Sequence, residues 1–220
     1  MKLSITIPCF NEQDNIKRVV TEVHDHFPHA QIIVVDDAST DSTAQILESI
    51  KLKHLTVLTN EKNMGHGYSV IRALRFAKGD YILYIDADRQ LSLHNFKIYE
   101  GCDFVSGFRV SRQDKLFRKL ISFCLKITNL GRHRFYMKDA NCPFKIYKRS
   151  ALWKVLPKVP DTYIIPIACL EVLARRHKLT TLTVPTLHYK YWTERKGTLQ
   201  TINMKSLKFF KDAFDEITSL

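Results

Sequence analysis

The sequence predicts an α/β protein with a mainly parallel sheet covered by helices on both faces, followed by a mixed second half. Three observations carry that prediction. Short β-rich apolar runs recur at Leu3–Ile7, Gln31–Val35, His54–Thr59 and Tyr81–Ile85. Between them lie segments whose apolar residues keep helical spacing, so each strand returns to the sheet through a helix. Each run also ends in polar residues, at Asn11-Glu12, Asp36-Asp37, Asn60 to Asn63 and Asp86 to Asp88. Right-handed crossovers make such strands parallel, and open parallel sheets bind ligands at their carboxyl ends, so the four polar ends are expected to share one crevice.

Taken in order, Leu3–Ile7 is a strand stopped by Pro8, and Asn11 is placed to cap a helix through Ile16, Val19, Val20, Val23 and Phe27. After the second strand, Asp41 can cap a helix carrying Ala44, Ile46, Leu47 and Ile50. The third strand leads into Asn63-Met64-Gly65-His66-Gly67, which opens a helix through Val70, Ile71, Leu74 and Ala77 that stops at Lys78-Gly79. These connecting helices are expected to run roughly 12 to 16 residues. Beyond Cys102 the rhythm changes. Asp103–Phe108 reads as a strand, Lys115–Leu130 as a basic amphipathic helix, Phe144–Tyr147 as a short strand and Ile165–Lys178 as a helix with proline at its start. Leu179–Tyr191 is β-like, and Pro185 inside it argues for an edge strand or a bulge. A helix from Thr198 to Ile217 closes the chain. There is no repeat, low-complexity tract or linker, so residues 1–220 are expected to form one domain.

With 220 residues, 45% of them hydrophobic and 25% charged, the chain is ordinary globular protein and not a disordered one. The formal net charge of +12 points to phosphates, in nucleic acid, in nucleotides or on an anionic membrane. Between Arg109 and Arg149 twelve basic residues stand against Asp114 and Asp139. Nucleic acid is set aside, because no helix-turn-helix, RNP-like or zinc pattern accompanies the charge. Five scattered cysteines without CxxC spacing fit a reducing cytosol, with no disulfide framework and no zinc site. No signal peptide opens the sequence and no apolar run approaches the roughly 18 residues of a membrane span, so any membrane contact is expected to be peripheral. Lys115–Lys126 and the final helix mix bulky apolar residues with cations. Both fit an interfacial helix, and both fit a core helix with a solvated basic edge. His24, His26 and His29 are badly spaced for one helical face and read as solvated.

The chemistry concentrates at the end of the fourth strand. Alternation along an extended chain sends Asp86 and Asp88 to the same side about 7 Å apart, and Gln90 follows if the extension persists. Carboxylate and amide oxygens at that spacing suit Mg²⁺ or Mn²⁺, with diphosphate oxygens completing the shell. Asp-Ala-Asp on its own equally fits an acidic turn.

Four stretches together resemble a family. Ile7-Pro8-Cys9-Phe10-Asn11-Glu12, Val34-Val35-Asp36-Asp37-Ala38-Ser39-Thr40-Asp41, Asn63-Met64-Gly65-His66-Gly67 and Asp86-Ala87-Asp88-Arg89-Gln90 are similar to the ordered signatures of family 2 glycosyltransferases with the GT-A fold. Val105 to Arg109, Arg118 to Ser122 and Lys138 to Lys145 resemble the polyprenyl-phosphate branch, which includes dolichol-phosphate mannose synthases. The resemblance covers roughly residues 3–197 and implies a Rossmann-like nucleotide half at 1–90, a mixed acceptor half at 91–197 and a C-terminal amphipathic helix at 198–220.

It further implies a hexose moved, usually with inversion, from a nucleotide diphosphate sugar of GDP-mannose or UDP-glucose type to a polyprenyl or dolichyl phosphate at the cytosolic membrane face. Pro8, Phe10, Asn11 and Glu12 would line base and ribose, and Asp37 would hydrogen-bond one of them. Asp86, Asp88 and Gln90 would hold Mg²⁺ or Mn²⁺ against the diphosphate, with Ala87 between them beside the nucleotide. Arg109 and Arg118 would meet phosphate oxygens, and Arg195 and Lys196 would close over the diphosphate from a mobile loop. Asp139 or Asp88 would serve as base where the acceptor needs one, with a plain helix cap as the other account of Asp139. His188 precedes the basic loop as in relatives, and a strand-packing role fits it equally. Ala38 and Ser42 replace the usual glycines, and Cys142-Pro143 stands where a small residue is usual, which leaves the acceptor open. The chain lacks the carboxyl-terminal spans of many relatives. Transfer to a glycan or protein hydroxyl, or a non-catalytic nucleotide-sugar or membrane-binding module, are the other functions that fit.

Overall fold

The computed structural model describes residues 2–91, 93, 96–110, 136–187 and 204–220, without the side chains of 204–207 and 210. The predicted helix at Lys115–Leu130, with Arg118, and the stretch containing His188, Arg195 and Lys196 lie outside the described residues.

The strands are β1 (Leu3–Cys9), β2 (Gln31–Asp36), β3 (Leu55–Thr59), β4 (Tyr81–Tyr84), β5 (Phe104–Val110), β6 (Lys145–Lys148) and β7 (Thr181–Leu187). The helices are α1 (Ile16–His26), α2 (Thr43–Ser49), α3 (His66–Phe76), α4 (Arg149–Val155), α5 (Pro166–Arg176) and α6 (Met204–Ser219). All seven strands join one sheet in the order β3-β2-β1-β4-β6-β5-β7. The first four run parallel, β6 is antiparallel to both β4 and β5, and β5 and β7 are parallel. The reversal at β6 returns β5 and β7 to the direction of β1. The carboxyl ends of β1, β2, β4, β5 and β7 therefore share one sheet edge with the amino end of β6, which brings the two halves of the chain to a common rim.

Alternation along the strands feeds two cores. Ile33, Val35, Ile82, Tyr84 and Tyr147 pack toward α3, α4, α5 and α6. Ile32, Val34, Leu83, Ile85 and Ile146 pack with the apolar residues of α1 and α2. Burial on both faces is why these strands read as near-continuous apolar runs.

Several local expectations are corrected. Strand β1 does not stop at Pro8 but runs through it to Cys9. The Thr6 carbonyl accepts the Ile85 N–H (3.2 Å) and the Cys9 carbonyl accepts the Asp37 N–H (2.9 Å), so β1 alternates its groups between β4 and β2. Pro8 points to the β4 side, past the last β4 residue, where its missing N–H forfeits no ladder bond. Asn11 does not cap α1, which begins after Asn15. Instead it turns left-handed (φ 54°), and its Oδ1 accepts the N–H groups of Thr40 (2.7 Å) and Asp41 (3.3 Å). Asp41 is not the cap of α2 either: Ser42 holds that position, and Asp41, one residue earlier, accepts the N–H of Thr43, the first helical residue (2.9 Å). The connecting helices are shorter than expected, at 11, 7 and 11 residues. Helix α4 was not foreseen at all. Strand β7 lies at the sheet edge, as Pro185 required.

The final helix uses its apolar residues Ala213 and Ile217 in the core, while Phe214 stays exposed. Its Glu216 reaches across to accept the backbone N–H groups of Ile164 (2.7 Å) and Ile165 (3.1 Å), just ahead of α5. No described helix is long and apolar enough to cross a membrane.

Candidate active site

The common rim encloses a cleft of about 530 Å³. Pro8, Phe10 and Glu12 reach it from the β1 end, Asp37 from β2, Asn63, Gly65 and His66 from the start of α3, and Asp86, Ala87 and Asp88 from β4. The structure thus gathers most of the predicted nucleotide and metal residues into one cavity. Asn11 and Gln90 are not among its lining residues.

Asp37 is almost fully buried and holds the far wall together. Its Oδ1 accepts from Asn60 Nδ2 (2.6 Å) and the Met64 N–H (2.9 Å), and its Oδ2 from the Gly65 N–H (2.8 Å). The loop before α3 is therefore hung on a carboxylate at the end of β2. Gly67 is required at the second position of that helix, since a Cβ there would lie 1.8 Å from the Tyr163 carbonyl oxygen.

Beyond Tyr84 the chain leaves the sheet and turns, and Arg89 adopts φ 57°. The extension on which the parity of Gln90 depended does not persist; the Gln90 N–H instead donates to Asp88 Oδ1 (3.1 Å). Asp86 Oδ1 accepts the buried Tyr84 hydroxyl (2.5 Å), and His66 Nε2 lies 3.1 Å from that hydroxyl. Burial, then the charge of Asp86, hold the Tyr84 hydroxyl well above its ordinary pKa and keep it a donor. Asp88 is pushed up to about 7, first by burial and then by Asp86, with Glu12 adding and the Gln90 N–H and Arg109 opposing.

Such a pair is what a divalent cation would relieve. Among the described residues no three His, Cys, Asp or Glu side chains form a ready metal cage. Two carboxylates that leave the remaining positions to phosphate oxygens nevertheless match how Mg²⁺ is ordinarily bound, and Mn²⁺ accepts the same oxygen donors. The donor set fits.

From the second half, Arg109 at the end of β5 meets Asp139 in a two-point fork, Nε to Oδ2 at 2.7 Å and an Nη to Oδ1 at 2.9 Å. Asp139 neither caps a described helix nor stands as a solvated carboxylate; it fixes the guanidinium whose charge reaches Asp88. Cys142, fully buried beside it, has its thiol pushed up to about 11 by burial and then by Asp139, so it is a packing residue. Sequence reasoning did not assign His66 and Tyr84. Tyr84 was within reach, because it shares the strand parity of Asp86, whereas His66 arrives only through tertiary packing.

This sheet order, with a carboxylate pair at the β4 end of a rim cleft, defines a GT-A glycosyltransferase fold. Glucosyl-3-phosphoglycerate synthase from Mycobacterium tuberculosis in complex with UDP superposes with a TM-score of 0.71 at 17% identity, over 99% of this chain and 79% of that one. The same enzyme in complex with Mn²⁺, UDP and glucosyl-3-phosphoglycerate gives 0.70 at 15% identity over the same shares. Residues 4–156 match the model of glycosyl transferase family 2, and the chain belongs to that family. Among curated relatives, undecaprenyl-phosphate 4-deoxy-4-formamido-L-arabinose transferases of Salmonella choleraesuis and Salmonella typhimurium are each 30% identical over 190 residues, 80% of this chain. The chain spans 57% of the length of those relatives.

Proposed function

We propose that this protein transfers a hexose or related sugar, with inversion, from a nucleotide diphosphate to a polyprenyl phosphate of the undecaprenyl or dolichyl kind. The observation that carries the reading is the Asp86/Asp88 pair facing the cleft, with the charge of Arg109 acting on Asp88. Pro8, Phe10 and Glu12 receive the base and ribose. Asp37 contributes by holding the loop that forms the opposite wall. Asp86 and Asp88 hold Mg²⁺ or Mn²⁺, and Gln90 stands next in the chain as a further candidate ligand. The bound cation supplies charge neutralisation for the nucleotide diphosphate as it leaves. Arg109, pre-oriented by Asp139, offers its guanidinium to phosphate oxygens. Arg118, Arg195 and Lys196 remain assigned to phosphates by resemblance alone.

The Arg109–Asp139 fork bears on the acceptor. A sugar hydroxyl needs a base to take its proton, and a carboxylate clamped at both oxygens by a guanidinium is a poor one. A phosphate acceptor is already ionised and attacks the anomeric carbon without that help. The curated relatives bear names with undecaprenyl phosphate, which supports the same acceptor class. Association with the cytosolic face of an anionic membrane, through the basic residues between Arg109 and Arg149, belongs to this proposal.

The test is incubation of the purified protein with labelled UDP- and GDP-sugars, Mn²⁺ and undecaprenyl or dolichyl phosphate in detergent. Lipid-linked product, lost on Asp88→Ala, is the expected result. Product on soluble glycans alone would replace the acceptor, and nucleotide binding without turnover on any acceptor would leave only a binding module. Flotation with phosphatidylglycerol vesicles, weakened by salt, checks the membrane contact.

A further inference from the structure

Resting on the proposed metal reading of Asp86 and Asp88, we infer that Tyr84 and His66 are positioning residues for Asp86, the tyrosine hydroxyl fixing one carboxylate oxygen and the imidazole fixing the hydroxyl. Tyr84 is 0% exposed and shares strand parity with Asp86, which sends both side chains toward α3. A phenylalanine would fill the same core space without burying a polar group, so the hydroxyl needs a partner to be tolerated there. It has two. The Tyr84 hydroxyl donates to Asp86 Oδ1 at 2.5 Å and lies 3.1 Å from His66 Nε2. Its single proton is committed to the carboxylate, so the hydroxyl oxygen must accept from His66, which puts a proton on Nε2.

The consequence is directional. Oδ1 of Asp86 is held from below, and among the described residues no hydrogen bond occupies Oδ2. One oxygen is anchored and the other is presented, which is what a monodentate metal ligand requires. Groups that anchor ligating carboxylates in this way typically contribute 10- to 100-fold to metal affinity. The His66 side chain is 54% exposed and lines the cleft, so the far end of the relay lies where the donor would sit. Nothing in the strand pattern demands a tyrosine at position 84, and nothing in the opening of α3 demands a histidine at 66.

The experiment is a titration of Mn²⁺ against wild type, Tyr84→Phe, His66→Ala, His66→Gln and Asp86→Ala, with saturating UDP or GDP, whichever raises the wild-type melting temperature. Free Mn²⁺ is read by electron paramagnetic resonance, and circular dichroism checks the fold. Expected are about 10- to 100-fold weaker Mn²⁺ binding in Tyr84→Phe, a smaller loss in the same direction in His66→Ala, and recovery in His66→Gln, whose amide N–H replaces Nε2–H. If Tyr84→Phe and His66→Ala bind Mn²⁺ like wild type while Asp86→Ala does not, the relay is overturned and the metal reading stands. If wild type itself binds no Mn²⁺, both fall. Should Tyr84→Phe fail to fold, the two His66 variants decide, and equal affinity in them and in wild type overturns the inference.

Discussion

Ala38 adopts φ 58°, a left-handed conformation that costs an L-residue with a Cβ about 1–2 kcal/mol. It follows the carboxylate that holds the wall of the cleft. Replacement by glycine relieves the strain but loosens the unfolded chain by about 0.4–1 kcal/mol. Ala38→Gly is therefore expected to raise stability by roughly 0.5–1 kcal/mol, read as a higher urea midpoint with unchanged slope. A lower midpoint would show that the left-handed turn is not strained. The same scale explains which residue roles the sequence misassigned. Asparagine accepts N–H bonds in any sharp turn, so Asn11 reads as the cap of the following helix while in the fold it ties down Thr40 and Asp41 across the rim. The parity that would aim Gln90 with Asp86 and Asp88 is lost for a related reason: a period of two holds only along extended backbone, and Arg89 ends it with φ 57°.

Helix α3 carries one wall of the cleft and meets the segment before α5 through Gly67, where a Cβ would collide with the Tyr163 carbonyl at 1.8 Å. Neither the helix backbone nor that carbonyl can yield like a side chain. Gly67→Ala is expected to cost more than about 3 kcal/mol and to weaken nucleotide binding, because His66 and the Gly65 turn move with it. A melting temperature within a degree of wild type would contradict the contact. At the same amino end of α5, Glu216 of α6 supplies acceptors for the two amides that immediately precede the helix. Glu216→Ala is expected to cost about 1–3 kcal/mol, and Glu216→Gln less, since one carbonyl acceptor survives. Chemical denaturation orders the three proteins. Elements of this kind were unevenly legible. The four parallel strands and α3 announced themselves through apolar runs and helical spacing. Helix α4 follows β6 directly, with Lys148 at its N-cap position and no side-chain cap bond, so no capping signal marks its start. The antiparallel insertion of β6 between β4 and β5 was not legible, because strand order depends on packing partners that no single segment encodes. That insertion brings the Arg109–Asp139 pair near enough for the charge of Arg109 to act on Asp88, a proximity that no single segment of the sequence announces.

Across the whole molecule two buried carboxylates titrate in opposite senses and shape the stability of the metal-free protein. Glu171 sits between β5, β6 and α5, bonded to Lys145 (2.8 Å), Ser106 (2.7 Å) and Arg175 (3.0 Å). Burial raises its pKa, but the charge of Lys145, the bonds from Lys145 and Ser106, and Arg175 outweigh burial and hold it below the ordinary 4.5. Its contribution is thus present above about pH 4.5 and lost as pH falls through the folded value. Asp88 runs the other way. At about 7 against an ordinary 3.8, the folded state keeps a proton that the unfolded chain releases. That contribution is full below pH 3.8 and lost as pH climbs to about 7, a rise that corresponds to at most about 4 kcal/mol. Together the two groups favour a stability maximum at roughly pH 4–5. Asp88→Asn is expected to match wild type near pH 4 and to exceed it at pH 8, as measured by urea unfolding at both values. Parallel pH profiles for the two proteins would place the strain elsewhere. On the proposed metal reading a cation binds the ionised carboxylates, so Mn²⁺ with a nucleoside diphosphate is expected to restore wild type at pH 8 and do little at pH 4, while leaving Asp88→Asn nearly unchanged at either. On the proposed metal reading, the pH-dependent stability of the protein and its response to a cation are two readings of the same pair of carboxylates.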